Sequence, residues 1–222
     1  MKHIKPYKIF ESNSPNFPTT REGVIEACEK CLINIYTIND DLSIDVGDDV
    51  FLTNRSLEYL PLKFNHVKGS FICSFNELKT LEGSPQTLGG QFDCCHNKLK
   101  TLEGSPQTVD GNFNCSANIL MTLEGSPKTI NGDFDCFDND LTDLEYFPEV
   151  NGEIFLGINK ISHLVHSFIK NADSFMIEDF NDYEIVRNRD TVMLDRLQTF
   201  IRDNDLEMPD LEPIKNHYKI IE

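Results

Sequence analysis

Apolar residues recur through the middle of this chain at a fixed step that belongs to neither a helix nor a long strand. Val50, Phe71, Phe92, Phe113, Phe134 and Ile154 open successive units. Two residues further on stand Leu52, Cys73, Cys94, Cys115, Cys136 and Leu156, and seven on stand Leu57, Leu78, Leu99, Leu120, Leu141 and Ile161. A last apolar column holds Leu60, Leu81, Leu102, Leu123, Leu144 and Leu164. The step is 21 residues, as in FICSFNELKTLEGSPQTLGGQ, FDCCHNKLKTLEGSPQTVDGN and FNCSANILMTLEGSPKTINGD, and the unit from Phe134 to Glu153 is one residue shorter. A fixed period of this size predicts a solenoid, in which each unit buries its apolar side only by stacking on its neighbours.

The alternating first and third columns suit a short strand with one face inward. Six such strands in parallel, about 4.8 Å apart, make a sheet about 24 Å across. The sixth column is polar: Asn76, Asn97, Asn118, Asn139 and Asn159, with Arg55 in the first unit. An inward amide there can satisfy backbone groups as the chain leaves the strand. Gly-Ser-Pro at 83–85, 104–106 and 125–127 opposes helix, which predicts an irregular or extended outer wall.

The flanks lack the repeat. Residues 1–18 are polar and proline-punctuated and read as a flexible tail. Thr19 or Thr20 can cap a helix running to about Ile33, with Val24, Ile25, Ala27, Cys28, Cys31 and Leu32 on its apolar side. Alternation on both sides of Asn39-Asp40-Asp41 predicts a hairpin, so that 19–49 form a helix-hairpin cap on the repeats at 50–165. Residues 166–222 read as a C-terminal cap. Phe175–Ile177 is expected to add a strand, Asp190 to cap a helix ending near Arg202, and LEPIKNHYKIIE to form a short helix or strand.

The pattern F-x-C-x-x-N-x-L-x-x-L is similar to the leucine-rich-repeat signature, with Phe and Cys at two core positions. The units and the flanking YTINDDLSIDVGDDVFL and DYEIVRNRDTVMLDRLQTFIRDND resemble short leucine-rich-repeat proteins of bacteria and large tailed phages. The resemblance covers most of 19–205 and implies an α/β, right-handed solenoid with a β-rich concave face. It implies no activity. The chain lacks the catalytic domain of leucine-rich effectors with ubiquitin-ligase activity.

Charge and cysteine narrow the function. The chain carries 37 acids against 20 Lys and Arg, a net charge of −17. That disfavours direct nucleic-acid binding, which needs a basic stripe, and suits a partner protein with a basic surface. Neither a long apolar run nor a signal peptide is evident, and inward cysteines suit a reducing interior, so a cytoplasmic protein without membrane contact is expected.

Four constellations could carry chemistry. Cys28-Glu-Lys-Cys31 has redox spacing, but inside a predicted helix it reads as packing. Cys94 and Cys95 cannot both face inward, so Cys95 is expected outward beside His96; zinc would need two more ligands there. Between Asp133 and Glu153 lie eight acids and no Lys or Arg: Asp133, Asp135, Asp138, Asp140, Asp143, Glu145, Glu149 and Glu153. They suit steering of a cation-rich partner, or solvation of an open solenoid, better than a calcium loop, whose glycine and distant glutamate are missing. The fourth is the second, fourth and fifth columns, which change from unit to unit while their surroundings repeat. On this basis the partner-binding residues are Phe75, Asp93, His96, Asn114, Asp135, Phe137, Asp138 and Phe155. Exposed aromatics rimmed by acids fit a protein–protein hot spot. With no nucleophile–base set, P-loop or glycine-rich nucleotide motif, and no cofactor implied, the reading is a non-catalytic interaction module, such as a phage-encoded modulator of a host protein. The alternatives are an acidic nucleic-acid mimic or a virion component.

Overall fold

The computed structural model of the chain describes residues 15–165 and 174–222. Helix α1 (Arg21–Cys31) starts at Thr20, whose hydroxyl accepts the Gly23 N–H. It is followed by the antiparallel pair β1 (Tyr36–Ile38) and β2 (Ile44–Val46). Each coil then gives two short strands: β3 (Val50–Phe51) and β4 (Phe64–Val67), β5 (Phe71–Ile72) and β6 (Thr87–Leu88), β7 (Phe92–Asp93) and β8 (Thr108–Val109), β9 (Phe113–Asn114) and β10 (Thr129–Ile130), β11 (Phe134–Asp135) and β12 (Glu149–Val150). β13 (Ile154–Phe155) opens a sixth coil. Then come α2 (Ser162–Val165), α3 (Ser174–Asp182), β14 (Val186–Arg187), β15 (Thr191–Met193), α4 (Leu194–Asp203), α5 (Leu211–Ile214) and β16 (Lys219–Ile221).

The result is a β-solenoid of about five stacked turns with two walls. One wall is the six-stranded parallel sheet β13-β11-β9-β7-β5-β3, in register column on column, as with Phe71, Phe92 and Phe113. The other is a seven-stranded sheet, β1-β2-β4-β6-β8-β10-β12, built from pairs such as Thr87-Leu88 and Thr108-Val109. The outer wall is therefore extended and ordered by its own ladder. β1 joins it antiparallel; the remaining pairs are parallel.

Between the walls the phenylalanines form a ladder. Phe71 on Phe92 and Phe92 on Phe113 lie nearly parallel, with centroids 5.5 and 5.2 Å apart. Phe64 meets one end edge-on at 4.9 Å and Phe147 the other at 5.4 Å. Edge-to-face rings at the ends complete contacts that a stacked ring supplies in the middle. Cys73, Cys94, Cys115 and Cys136 are fully buried beside them, and burial pushes every one of these thiols up.

The asparagine column binds coil to coil. Nδ2 of Asn97 donates to the carbonyls of Cys73 (3.1 Å) and Cys94 (3.0 Å), and its Oδ1 accepts the Leu78 N–H at 2.9 Å. Asn118, Asn139 and Asn159 repeat this geometry. The amides thus pair backbone groups that the strand ladders leave over.

Several expectations for the flanks are corrected. Ile25 is exposed, since the buried side of α1 is Val24, Ala27, Cys28 and Cys31, and Leu32 is exposed because it takes the left-handed conformation that ends the helix. Residues 175–177 belong to helix α3, not to a strand. Asp190 caps nothing: β15 follows it, and α4 starts after Met193 without a side-chain cap. The tail forms both α5 and β16. Phe155 and Ile158 are exposed, so the described residues after 165 leave them open, and most of the tail 1–18 lies outside the described residues. The Tyr218 hydroxyl donates to the Thr142 carbonyl at 2.7 Å, and Asn181 Nδ2 donates to that of Leu144 at 2.8 Å; these bonds join the C-terminal unit to the fifth coil.

Candidate functional site

The outward side of the six-stranded sheet holds the candidate residues. In the fifth column Asn54, Phe75, His96, Ala117, Asp138 and Ile158 all have positive φ, between 51° and 57°. This costs a non-glycine residue about 1–2 kcal/mol. It recurs in every coil because it lets the ladder continue, as in Phe75 N–H to Cys95 O (3.0 Å), and in all but the first coil it turns the next residue, the asparagine, inward. The fold fixes the backbone here and leaves the side chain free. Phe75 and His96 use that freedom to stack on one another outside the sheet, centroids 4.3 Å apart.

The second column reads Phe51, Ile72, Asp93, Asn114, Asp135 and Phe155 across neighbouring strands. In its centre each side-chain oxygen accepts the N–H two residues on: Asp93 from Cys95 (3.0 Å), Asn114 from Ser116 (3.0 Å) and Asp135 from Phe137 (2.9 Å). A shallow groove of about 170 Å³ gathers Asp93, Asn114, Asp133, Asp135 and Phe155. Burial pushes the Asp135 carboxyl above the usual carboxylate range; the Phe137 N–H opposes this, and the charge of Asp93 adds to it.

The groove therefore unites Asp93, Asn114, Asp135 and Phe155. Phe75 and His96 form a separate pair, and exposed Asp138 lies beside the groove without lining it. The Phe137 ring, 41% exposed, lies over Gly157, where an added Cβ would come within 2.8 Å of the ring. Phe51 on the first strand is 59% exposed and belongs to the same surface; reading the second column back to the first coil finds it.

Three expectations about this surface change. Cys95 is buried rather than turned out, and burial pushes its thiol up to about 12. Asp143 is buried beside Arg189 (3.4 Å), and Asp140 pairs with Lys160 (3.2 Å), so cations from elsewhere answer two of the eight acids. Asp133 also serves the stack, since its Oδ1 accepts the Glu153 N–H at 2.9 Å, as Asp49 accepts that of Ser70 one end earlier.

Cys28 and Cys31 are buried in α1, and burial pushes Cys28 up to about 11, away from nucleophilic use. Among the described residues no group of three His, Cys, Asp or Glu side chains could hold a metal ion, and no helix is long and apolar enough to cross a membrane. No family model, curated protein or solved structure matches the chain.

Proposed function

We propose that this chain is a non-catalytic binding protein of the leucine-rich-repeat type, closed at its ends by the helix-hairpin and the C-terminal unit, that holds a partner protein with a basic surface on the outward face of its six-stranded sheet. One comparison within the second column carries the reading. Asn114 makes the same turn bond as Asp93 and Asp135, so an uncharged amide meets the structural need. The two carboxylates are kept although burial and their mutual repulsion work against charge at Asp135. Charge retained at a cost to stability is expected where it meets something outside the molecule.

In this reading Asp93 and Asp135 set approach and register, and Phe75, Phe137 and Phe155 are the apolar anchors, each worth about 2 kcal/mol or more when buried against a partner. The phage or bacterial origin implied by the resemblance agrees with a modulator of a host protein in the cytoplasm. Stopped-flow association over a range of salt tests the steering, which predicts a falling on-rate, and Phe137→Ala should raise the off-rate with little change in melting temperature. An on-rate indifferent to salt removes the electrostatic part, and a large loss of stability in Phe137→Ala makes that ring core instead of anchor.

A further inference from the structure

The fifth coil departs on its outer side from the three coils before it. Three coils read Leu-Glu-Gly-Ser-Pro, and the fifth reads Leu144-Glu145-Tyr146-Phe147-Pro148. The glycines have φ of 94°, 92° and 86°, and a Cβ on Gly104 or Gly125 would lie within 2.6 Å of the preceding coil's backbone. Tyr146 keeps the left-handed conformation, at φ 62°, and its side chain stays outside: the residue is 57% exposed. Phe147, by contrast, turns in and closes the phenylalanine ladder against Phe134. The phenylalanine ladder accounts for Phe147 and does not include Tyr146.

Tyr146 stands at a groove of about 490 Å³ between the fifth coil and α3. Its walls are the two aromatics, the carboxylates of Glu149, Glu178 and Asp182, and the amide of Asn181. Asn181 fixes the wall of α3 by its bond to the Leu144 carbonyl. Glu178 and Asp182 stand four apart on α3, a spacing at which like charges repel in a helix. No Lys or Arg lines the groove among the described residues.

We infer that this groove is a second binding site, separate from the outward face of the six-stranded sheet, and that it takes a lysine or arginine side chain from an extended segment of a partner protein. An aromatic ring beside convergent carboxylates matches a cation on an alkyl stem, by cation–π attraction, ion pairing and cover of the stem. Glu149 lines the groove from the coil and Glu178 and Asp182 from α3, beside the two rings and the buried Ile177, so an anionic or wholly apolar occupant meets the wrong chemistry.

The full chain, labelled with ¹⁵N, would be titrated with Nα-acetyl-lysine methylamide and separately with the uncharged norleucine analogue. Saturable shifts at 146, 149, 178 and 182 are expected for the lysine compound alone. Tyr146→Gly should bind about tenfold more weakly, the worth of one good cation–π contact, and should melt at the same temperature or higher because glycine relieves the strain. Glu178→Gln with Asp182→Asn should weaken binding while leaving Tyr146 in place. Equal shifts with norleucine, unchanged affinity in Tyr146→Gly, or a lowered melting temperature in that variant would each overturn the inference, the last by making Tyr146 a packing residue. Asn substitutions at Asp93 and Asp135 should not touch this binding, so the two sites fail or stand separately.

Discussion

Arg55 donates from its guanidinium to the carbonyl of Cys31, 3.2 Å away, at the C-terminus of α1. A second nitrogen donates to the Lys30 carbonyl at 3.0 Å. Arg55 occupies the column that holds asparagine in every later coil, and the exchange has a physical reason. A later coil reaches back to the carbonyl of another coil, within range of a short amide. The first coil has a helix end behind it, which needs a longer arm and favours a cation. Arg55→Asn should therefore loosen α1 from the stack and cost about 1–2 kcal/mol in chemical denaturation, the value of a charged hydrogen-bond set at a half-buried site. A loss within error would show that α1 is held by its buried face alone.

Asn97→Ala removes an amide that answers backbone groups on two successive coils. It leaves them buried, at a cost of about 3 kcal/mol. Hydrogen exchange should then quicken at Leu78, whose N–H loses its acceptor. Unchanged exchange there would contradict the role given to the column.

The serines of Gly-Ser-Pro separate by partner. Ser105 donates its hydroxyl to the Gly125 carbonyl, whereas the hydroxyls of Ser84 and Ser126 are buried with no partner among the described residues. Ser84→Ala and Ser126→Ala should be neutral or stabilising by about 1 kcal/mol, and Ser105→Ala destabilising by a similar amount. Thermal melts of the three variants decide it, and an equal loss in all would mean that the hydroxyls matter for packing only.

Asp135 has a carboxyl raised in the folded state, by burial first. Such an acid binds its proton more tightly folded than unfolded. Its contribution is most favourable below the ordinary carboxylate value of about 3.8 and is lost as pH rises through the folded value. Asp135→Asn should flatten this dependence above pH 4 and raise stability at pH 7 by about 0.5 kcal/mol, a small figure because the group is half in solvent. A stability profile identical to that of the parent chain would place the strain elsewhere.

The repeats were legible because stacking imposes one register on every coil, so Phe71, Cys73, Asn76 and Leu78 each announce a column. The outer strands were harder to see. Thr87-Leu88 and Thr108-Val109 are two residues long and sit beside Gly-Ser-Pro, so local propensity says turn while the neighbouring coil supplies the ladder. The C-terminal unit misled for a related reason: Phe175-Met176-Ile177 has strand-like residues, but the helix is fixed further on, by Ile177 and Phe180 packing inward. At the candidate site Asp93, Asn114 and Asp135 followed from the second column. The burial of Asp143 did not, because its cation, Arg189, lies far along the chain, and Cys95 is buried where alternation alone would turn it to solvent.

The double variant Asp93→Asn with Asp135→Asn tests the central claim most directly, when its melting temperature and its binding are measured together. Proteins captured from a cell lysate by the parent chain would be identified, purified and titrated against both chains. The account predicts a variant as stable as the parent or more so, whose affinity for a basic-surfaced partner falls at least about tenfold, as expected for two lost charge contacts. A variant that binds that partner as tightly as the parent, or that loses its fold, contradicts it.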